Sequence, residues 1–265
     1  MQRSAHLEIV NLSDTGRRRP HNEDSTASDA SHGFALVADG IGGYKCGEMA
    51  SALAITTIVR QLYKALGKSK ATRVNAKAKL REISLSLQGA IEDANASVYE
   101  LSHTEPSCRG MGATVVGALF IAGRASIAYV GDSRLYRLRA NQLEQLTKDH
   151  SVYWDLVDKG ICTPEEAAEY PSRHSVTRAL GMQQFVEVDL REQPYRPGDI
   201  YLLCSDGLSD MVPAQQIQLT MCRHLSDLEQ MGNELVALAN ARGGRDNISS
   251  VLVRILKPTG ARRQA

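Results

Sequence analysis

Phe34-Ala35-Leu36-Val37-Ala38-Asp39-Gly40 is an apolar run that stops on an acid and a turn former. Short apolar runs bounded by Gly, Asn and Asp read as buried strands with sharp turns at their ends. The pattern recurs in Ser126 to Gly131 before Asp132-Ser133 and in Ile200 to Ser205 before Asp206-Gly207, and in reverse where Asp246-Asn247 leads into Ile248 to Ile255. Strand ends that carry acids in this way, if they converge, cannot all stay ionised without cations between them. An oxygen-only donor set suits Mg²⁺ or Mn²⁺. The histidines show no H-x-x-x-H spacing, which disfavours zinc. One Asp-Gly alone is an ordinary turn; the weight lies in the company each keeps.

Working outward, a chain of 265 residues with 43% hydrophobic content can bury a full core, and it is read as one domain over residues 1–256. Lys plus Arg number 31 against 30 Asp plus Glu, so the net charge of +1 gives no general attraction to nucleic acid or an acidic membrane. The five cysteines are scattered, with no C-x-x-C pair, and read as reduced thiols filling core positions. Met1 to Asp14 has no apolar segment of secretory type, and no stretch reaches the ~20 apolar residues that span a bilayer. The expectation is a soluble, cytoplasmic protein.

Leu7 to Leu12 reads as the first strand and Phe34 to Ala38 as the second, with a basic loop at 17–21 between them. Apolar residues at helical spacing predict helices over Gly47 to Leu66 and Lys77 to Leu101. From Arg60 to Arg81 there are eight Lys or Arg and no acid, read as a solvated connection, with docking of an acidic protein as the alternative. Gly67-Lys68-Ser69 resembles the tail of a phosphate loop, but Leu62 stands where its first glycine would fall. Thr114 to Phe120, Ala125 to Val130 and Leu135 to Arg139 predict consecutive antiparallel strands, extended by Gln142 to Leu146. Tyr153 to Lys159 predicts a short helix closed by Gly160. Thr163-Pro164-Glu165-Glu166 predicts another, opened by a capping box. Asp149 to Leu180 therefore reads as an insertion over the sheet. Strands at Phe185 to Leu190 and Ile200 to Cys204, helices at Ala214 to Leu219 and Ser226 to Arg242, and a last strand to Leu256 complete an α+β order. A mobile tail is expected over residues 257–265.

With these motifs in view, the chain resembles the metal-dependent PP2C (PPM) family of serine/threonine protein phosphatases, in its bacterial form. The resemblance rests on Ser13 to Asp24, Val37 to Gly43, Gly110 to Thr114, Val130 to Arg134, Val176 to Gly181, Leu203 to Asp210 and Gly244 to Ser249, in the family's order. It implies a four-layer αββα sandwich, two antiparallel β-sheets flanked by helices, with the insertion at 149–180 as a flap. It also implies two Mn²⁺ or Mg²⁺ ions, with a third at a weaker site. On that resemblance Asp39 bridges the two ions, Gly40 offers its carbonyl to one, and Asp206 and Asp246 bind the other. Asp132 and Asp210 match the third site. Glu23 orients water, with Asp24 in support, and Arg19 grips the substrate phosphate.

The implied reaction is hydrolysis of phosphoserine and phosphothreonine in proteins by direct attack of a hydroxide bridging the ions, opposing a Ser/Thr kinase. The expected partners are phosphorylated proteins and such a kinase, with no nucleic acid and no membrane insertion. Consistent with direct attack, no cysteine has Arg six residues later and no two aspartates are one residue apart. Ile41 stands where many eukaryotic members carry His, so the resemblance moves leaving-group protonation elsewhere, to water on the third ion; Tyr44 is a second nearby group, with a packing or surface role as the alternative. Two other readings are separable by assay: a catalytically weak module of the same fold that binds phosphoproteins, and a phosphatase of small metabolites.

Overall fold

The computed structural model describes residues 6–42, 45–68 and 76–257. Gly43, Tyr44, Ser69 of the phosphate-loop fragment, the middle of the basic connection and the tail from residue 258 lie outside the described residues. In chain order the elements are β1 (Leu7–Asp14), β2 (Asp24–Asp29), β3 (Phe34–Ile41), α1 (Lys45–Lys68), α2 (Ala76–Thr104), a 3-10 turn (Pro106–Cys108), β4 (Gly112–Ala113) and β5 (Val115–Ile121). There follow β6 (Arg124–Val130), β7 (Arg134–Arg139), β8 (Gln142–Gln145), α3 (Val152–Asp158), α4 (Pro164–Ala168) and β9 (Asp189–Pro194). The chain closes with β10 (Ile200–Cys204), α5 (Asp206–Ser209), α6 (Ala214–Arg223), α7 (Leu228–Ala241) and β11 (Ile248–Ile255).

Two antiparallel sheets result, ordered β1-β11-β10-β7-β8 and β2-β3-β5-β6-β9. Side-chain alternation along each strand sorts the residues into layers. On β3, Ala35 and Val37 enter the core between the sheets with Phe120, Ile127, Tyr201 and Val253. Leu36 and Ala38 face the other way, onto Ile58 and Leu62 of α1 and Leu87 and Ile91 of α2. On β10, Tyr201 and Leu203 join the inter-sheet core, while Leu202 and Cys204 pack with Ile217 of α6 and Met231 and Leu235 of α7. Both faces of each central strand are thus apolar, which is why these strands read as continuous runs. The expected four-layer αββα sandwich is the observed one.

Several elements depart from the sequence reading. β2, Asp-Ser-Thr-Ala-Ser-Asp, was not expected as a strand; it is a polar, half-buried edge whose pairing is supplied wholly by β3. The strand placed at Phe185 to Leu190 lies instead at β9, and Phe185 is 81% exposed. β9 is the other edge of that sheet, so its outer residues need not be apolar. Asp39 and Gly40 do not end β3, because Gly40 and Ile41 pair with Ala113 and Gly112 of β4. β6 and β7 are consecutive yet unpaired: at Gly131-Asp132-Ser133 the chain crosses from one sheet to the other. α4 carries the expected capping box, with the Thr163 side chain accepting from the Glu166 amide and the Glu166 carboxylate accepting from the Thr163 amide.

Candidate metal centre

Three of the expected acids leave strands at the same end of the sandwich. Asp39 lies near the end of β3, Asp206 opens α5 directly after β10, and Asp246 precedes β11. β10 and β11 are neighbours in one sheet, and β3 crosses over them from the other. Across β2 and β3, Asp24 is the direct partner of Asp39.

Electrostatics report how closely these acids gather. The Asp39 carboxyl is held well above the usual carboxylate range, by burial first and then by Asp24, Asp206, Asp132 and Asp246. Burial, Asp132, Asp210 and Asp246 push Asp206 up to about 8. Burial, Asp149 and Asp210 push Asp132 up to about 7. Asp24 is raised to about 6, mainly by burial, against hydrogen bonds from serines 249 and 205 that lower it. Asp24 and Asp206 both lie within hydrogen-bonding reach of Asp39. Each of those two also buries one carboxylate oxygen, Oδ1, with no hydrogen-bond partner. Orphaned anionic oxygens facing other acids are costly unless protons or cations are shared among them.

That donor set fits hard divalent cations. Among the described residues no group of three or more His, Cys, Asp or Glu side chains is arranged to hold a metal ion as it stands. An open arrangement suits Mg²⁺-like ions, which keep several waters and take few carboxylates. Gly40 borders the same space: a Cβ there would lie 2.1 Å from the Gly47 carbonyl oxygen and 2.7 Å from that of Glu23, so only glycine fits.

The loop from Thr15 to Glu23 is fastened to this end of the sandwich by Asn247, which is 4% exposed. The Asn247 side chain donates to the carbonyls of Thr15 and His21, both at 2.9 Å, and accepts from the Glu23 amide at 2.8 Å. Its own amide donates to Asp246 Oδ1 at 2.8 Å. Gly16 lets the loop sit close: at φ +79° its Cα faces the Asp246 carbonyl oxygen, which a Cβ would approach to 2.2 Å. Arg19 then reaches Asp246 Oδ2 at 2.6 Å. Burial raises the Glu23 carboxyl, with Arg19 opposing.

The insertion at 149–180 is tied down at both feet. Asp149, almost fully buried, takes three hydrogen bonds from the Arg134 guanidinium, and the His150 amide donates to the Gly131 carbonyl. At the far end Leu180 and Ala113 exchange backbone hydrogen bonds at 2.8 and 3.1 Å. Between insertion and sandwich lies a cavity of about 560 Å³, with Asp132, Asp206 and Asp210 on one side and Trp154, Arg173 and His174 on the other. Asp210 is exposed, one turn beyond Asp206.

The geometry therefore brings together Asp39, Gly40, Asp206 and Asp246, with Asp24, Asp132 and Asp210 around them and Arg19 and Glu23 on the adjoining loop. Sequence reasoning missed Asn247, Ser205 and the Arg134–Asp149 pair. Asn247 stood in a quoted motif, but nothing local signals which loop an asparagine will hold.

A sequence model of the family Protein phosphatase 2C matches residues 16–255. The serine/threonine phosphatase stp of Listeria monocytogenes is 35% identical over 243 residues, 91% of this chain and 92% of that protein. The crystal structure of the Mycobacterium tuberculosis serine/threonine phosphatase PstP/Ppp superposes with a TM-score of 0.81 at 35% identity, covering 95% of this chain and 99% of that one. A catalytic domain of PstP in complex with 2 manganese ions superposes with a TM-score of 0.77 at 34% identity, covering 95% and 99%. With its fold, its gathered acids and these relatives, the chain belongs to the protein phosphatase 2C family of serine/threonine phosphatases.

Proposed function

We propose that this protein is a single-domain phosphatase, over residues 1–256, that hydrolyses phosphoserine and phosphothreonine in cytoplasmic proteins and so opposes a Ser/Thr kinase. The observation that carries the reading is the cluster of Asp24, Asp39, Asp206 and Asp246, with two orphaned carboxylate oxygens, beside a cavity open to a substrate. Asp39, the Gly40 carbonyl, Asp206 and Asp246 would hold two Mn²⁺ or Mg²⁺ ions, with Asp132 and Asp210 serving a third. When bound, such ions supply an activated water near neutral pH and neutralise phosphate charge during in-line displacement.

The chain's own residues do the rest. Arg19 exchanges its contact with Asp246 for the phosphate oxygens, a planar fork matched to a tetrahedral anion. Glu23, with its raised carboxyl and its backbone fixed by Asn247, orients water at the rim. Asp24 supports Asp39 from across the strand pair. Ile41 has no acidic proton, so the leaving serine or threonine takes its proton from solvent in the cavity. The insertion at 149–180 covers that cavity and meets the peptide.

The test is a phosphothreonine-peptide assay across Mn²⁺ concentration, with a sugar phosphate as competitor class and an autophosphorylated kinase domain as a protein substrate. Saturable, chelator-reversible release of phosphate with preference for the phosphopeptide is expected. No turnover of any phosphoprotein by metal-loaded protein would refute the assignment.

A further inference from the structure

The five cysteines are widely spaced in sequence, yet the fold brings two of them into contact. Cys46, in the first turn of α1, and Cys108, at the end of the 3-10 turn, hold their sulfurs 3.6 Å apart. Cys46 is partly exposed, and its thiol also donates to the Ser107 carbonyl at 2.9 Å. Cys108 is 1% exposed. We propose that Cys46 and Cys108 form an oxidative modification site, closing to a disulfide under a two-electron oxidant such as hydrogen peroxide, and that closure restrains the backbone beside Asp39 and Gly40.

The accessible sulfur reacts first. Cys46 takes one peroxide oxygen as the O–O bond breaks, giving a sulfenic acid and one water. The Cys108 sulfur then attacks the Cys46 sulfur; the S–O bond breaks and the oxygen leaves as a second water with the Cys108 proton. Two thiols and one peroxide become one disulfide and two waters, with two electrons passing from sulfur to oxygen. Burial and the contact with Cys108 raise the Cys46 thiol above its ordinary value, so the first step is slow at neutral pH. In a reducing compartment such a bond is transient.

Closure has to shorten the sulfur contact from 3.6 Å to about 2.05 Å. Both partners sit on segments flanking the end of β3. Cys46 precedes Gly47, whose Cα faces the rim of the acidic cluster: a Cβ at Gly47 would lie 2.6 Å from Glu23 Oε2 and 3.1 Å from the Gly40 carbonyl oxygen. On the other side, the Cys108 carbonyl accepts from the Met111 amide at 3.0 Å, and the next residue, Gly112, pairs with Ile41. The bond would therefore couple the walls around Gly40. This second half rests on the proposed metal-centre reading; the cross-link itself does not.

The experiment uses the full chain, oxidised with hydrogen peroxide, alkylated, and digested without reduction for mass spectrometry. A peptide pair joining Cys46 to Cys108, released by dithiothreitol, is expected in the wild type; in Cys108→Ser, Cys46 is expected as sulfenic or higher acid. The oxidised wild type, returned to Mn²⁺, is expected to need several-fold more of it for half-maximal turnover, while peroxide leaves Cys46→Ser unchanged. Free, alkylated Cys46 and Cys108 with oxidation confined to Cys162 or Cys222 would overturn the site. A mapped cross-link with an unaltered Mn²⁺ requirement would overturn the restraint. Untreated protein without phosphatase activity would instead count against the proposed function, leaving the cross-link to be judged by its peptides.

Discussion

Asp24 and Asp39 stand directly opposite one another on β2 and β3. Like charges at facing positions destabilise an antiparallel pair, and here the repulsion is compounded by burial of the Asp24 Oδ1 oxygen without a partner. On the proposed function, fold stability and metal affinity would be linked through the same carboxylates.

Asp39→Asn or Asp206→Asn should lower kcat/KM on a phosphothreonine peptide by about 10³-fold or more, as expected when charge stabilisation in the transition state is lost. In excess chelator the same variants should melt at a higher temperature than wild type, because a neutral amide removes repulsion from the cluster. Undiminished turnover of the wild type in EDTA, or a lower melting temperature for both variants there, would contradict this account.

Without metal, stability should fall as pH rises, opposite to the usual carboxylate behaviour. The folded values of about 6 for Asp24, about 7 for Asp132 and about 8 for Asp206 all lie above the ordinary 3.8. Between the ordinary and raised values the folded state binds more protons than the unfolded one, so the stabilisation present below 3.8 is lost as pH climbs through the folded values. Thermal unfolding in chelator from pH 5 to 8 checks the sign. Mn²⁺ should reverse the trend, since its binding displaces those protons and tightens with pH.

Asn247→Ala should cost about 2–4 kcal/mol in urea unfolding, because it strands two loop carbonyls and the Glu23 amide at a buried position. Asn247→Asp keeps the acceptor for that amide but loses both donors, so it should recover only part of the loss. Equal stability of all three proteins would show that the loop is held by other means.

Arg19→Ala should reduce kcat/KM by about 10²-fold, and Arg19→Lys should restore little of it, since an ammonium cannot reproduce the planar fork. The guanidinium also contacts Asp246, so the Mn²⁺ dependence of Arg19→Ala should shift to lower concentration once that carboxylate is freed. Steady-state kinetics at several Mn²⁺ levels separate the two effects.

Arg134→Ala should destabilise by about 3 kcal/mol, the cost of leaving a buried carboxylate unpaired. Asp149 is 8% exposed and takes three hydrogen bonds from that arginine. Because the pair anchors one foot of the insertion, limited proteolysis should cut between residues 150 and 180 faster in the variant. A wild-type cleavage rate would detach the pair from the anchoring role.

Legibility in the sequence followed burial. Strands β3, β6, β10 and β11 pack on both faces, so their apolar runs were visible and the acids at their ends could be found. β2 and β9 are edges whose partners supply the order that their own composition does not, and one was missed and the other misplaced. The capping box of α4 was readable because it is closed within four consecutive residues. Asn247 and Asp149 were not, since each acts on a segment remote in the chain: Asn247 holds Thr15 and His21, and Asp149 holds Arg134. Cysteine spacing likewise concealed the contact between Cys46 and Cys108, which arises only where α1 meets the turn after α2.

The insertion at 149–180 stands on two fixed feet, Asp149 with His150 at one end and Leu180 at the other. A span supported in this way can be resized or recomposed between its anchors without disturbing the foundation beneath. On the proposed function, changes between those anchors would alter which phosphoproteins are met without moving the acids below.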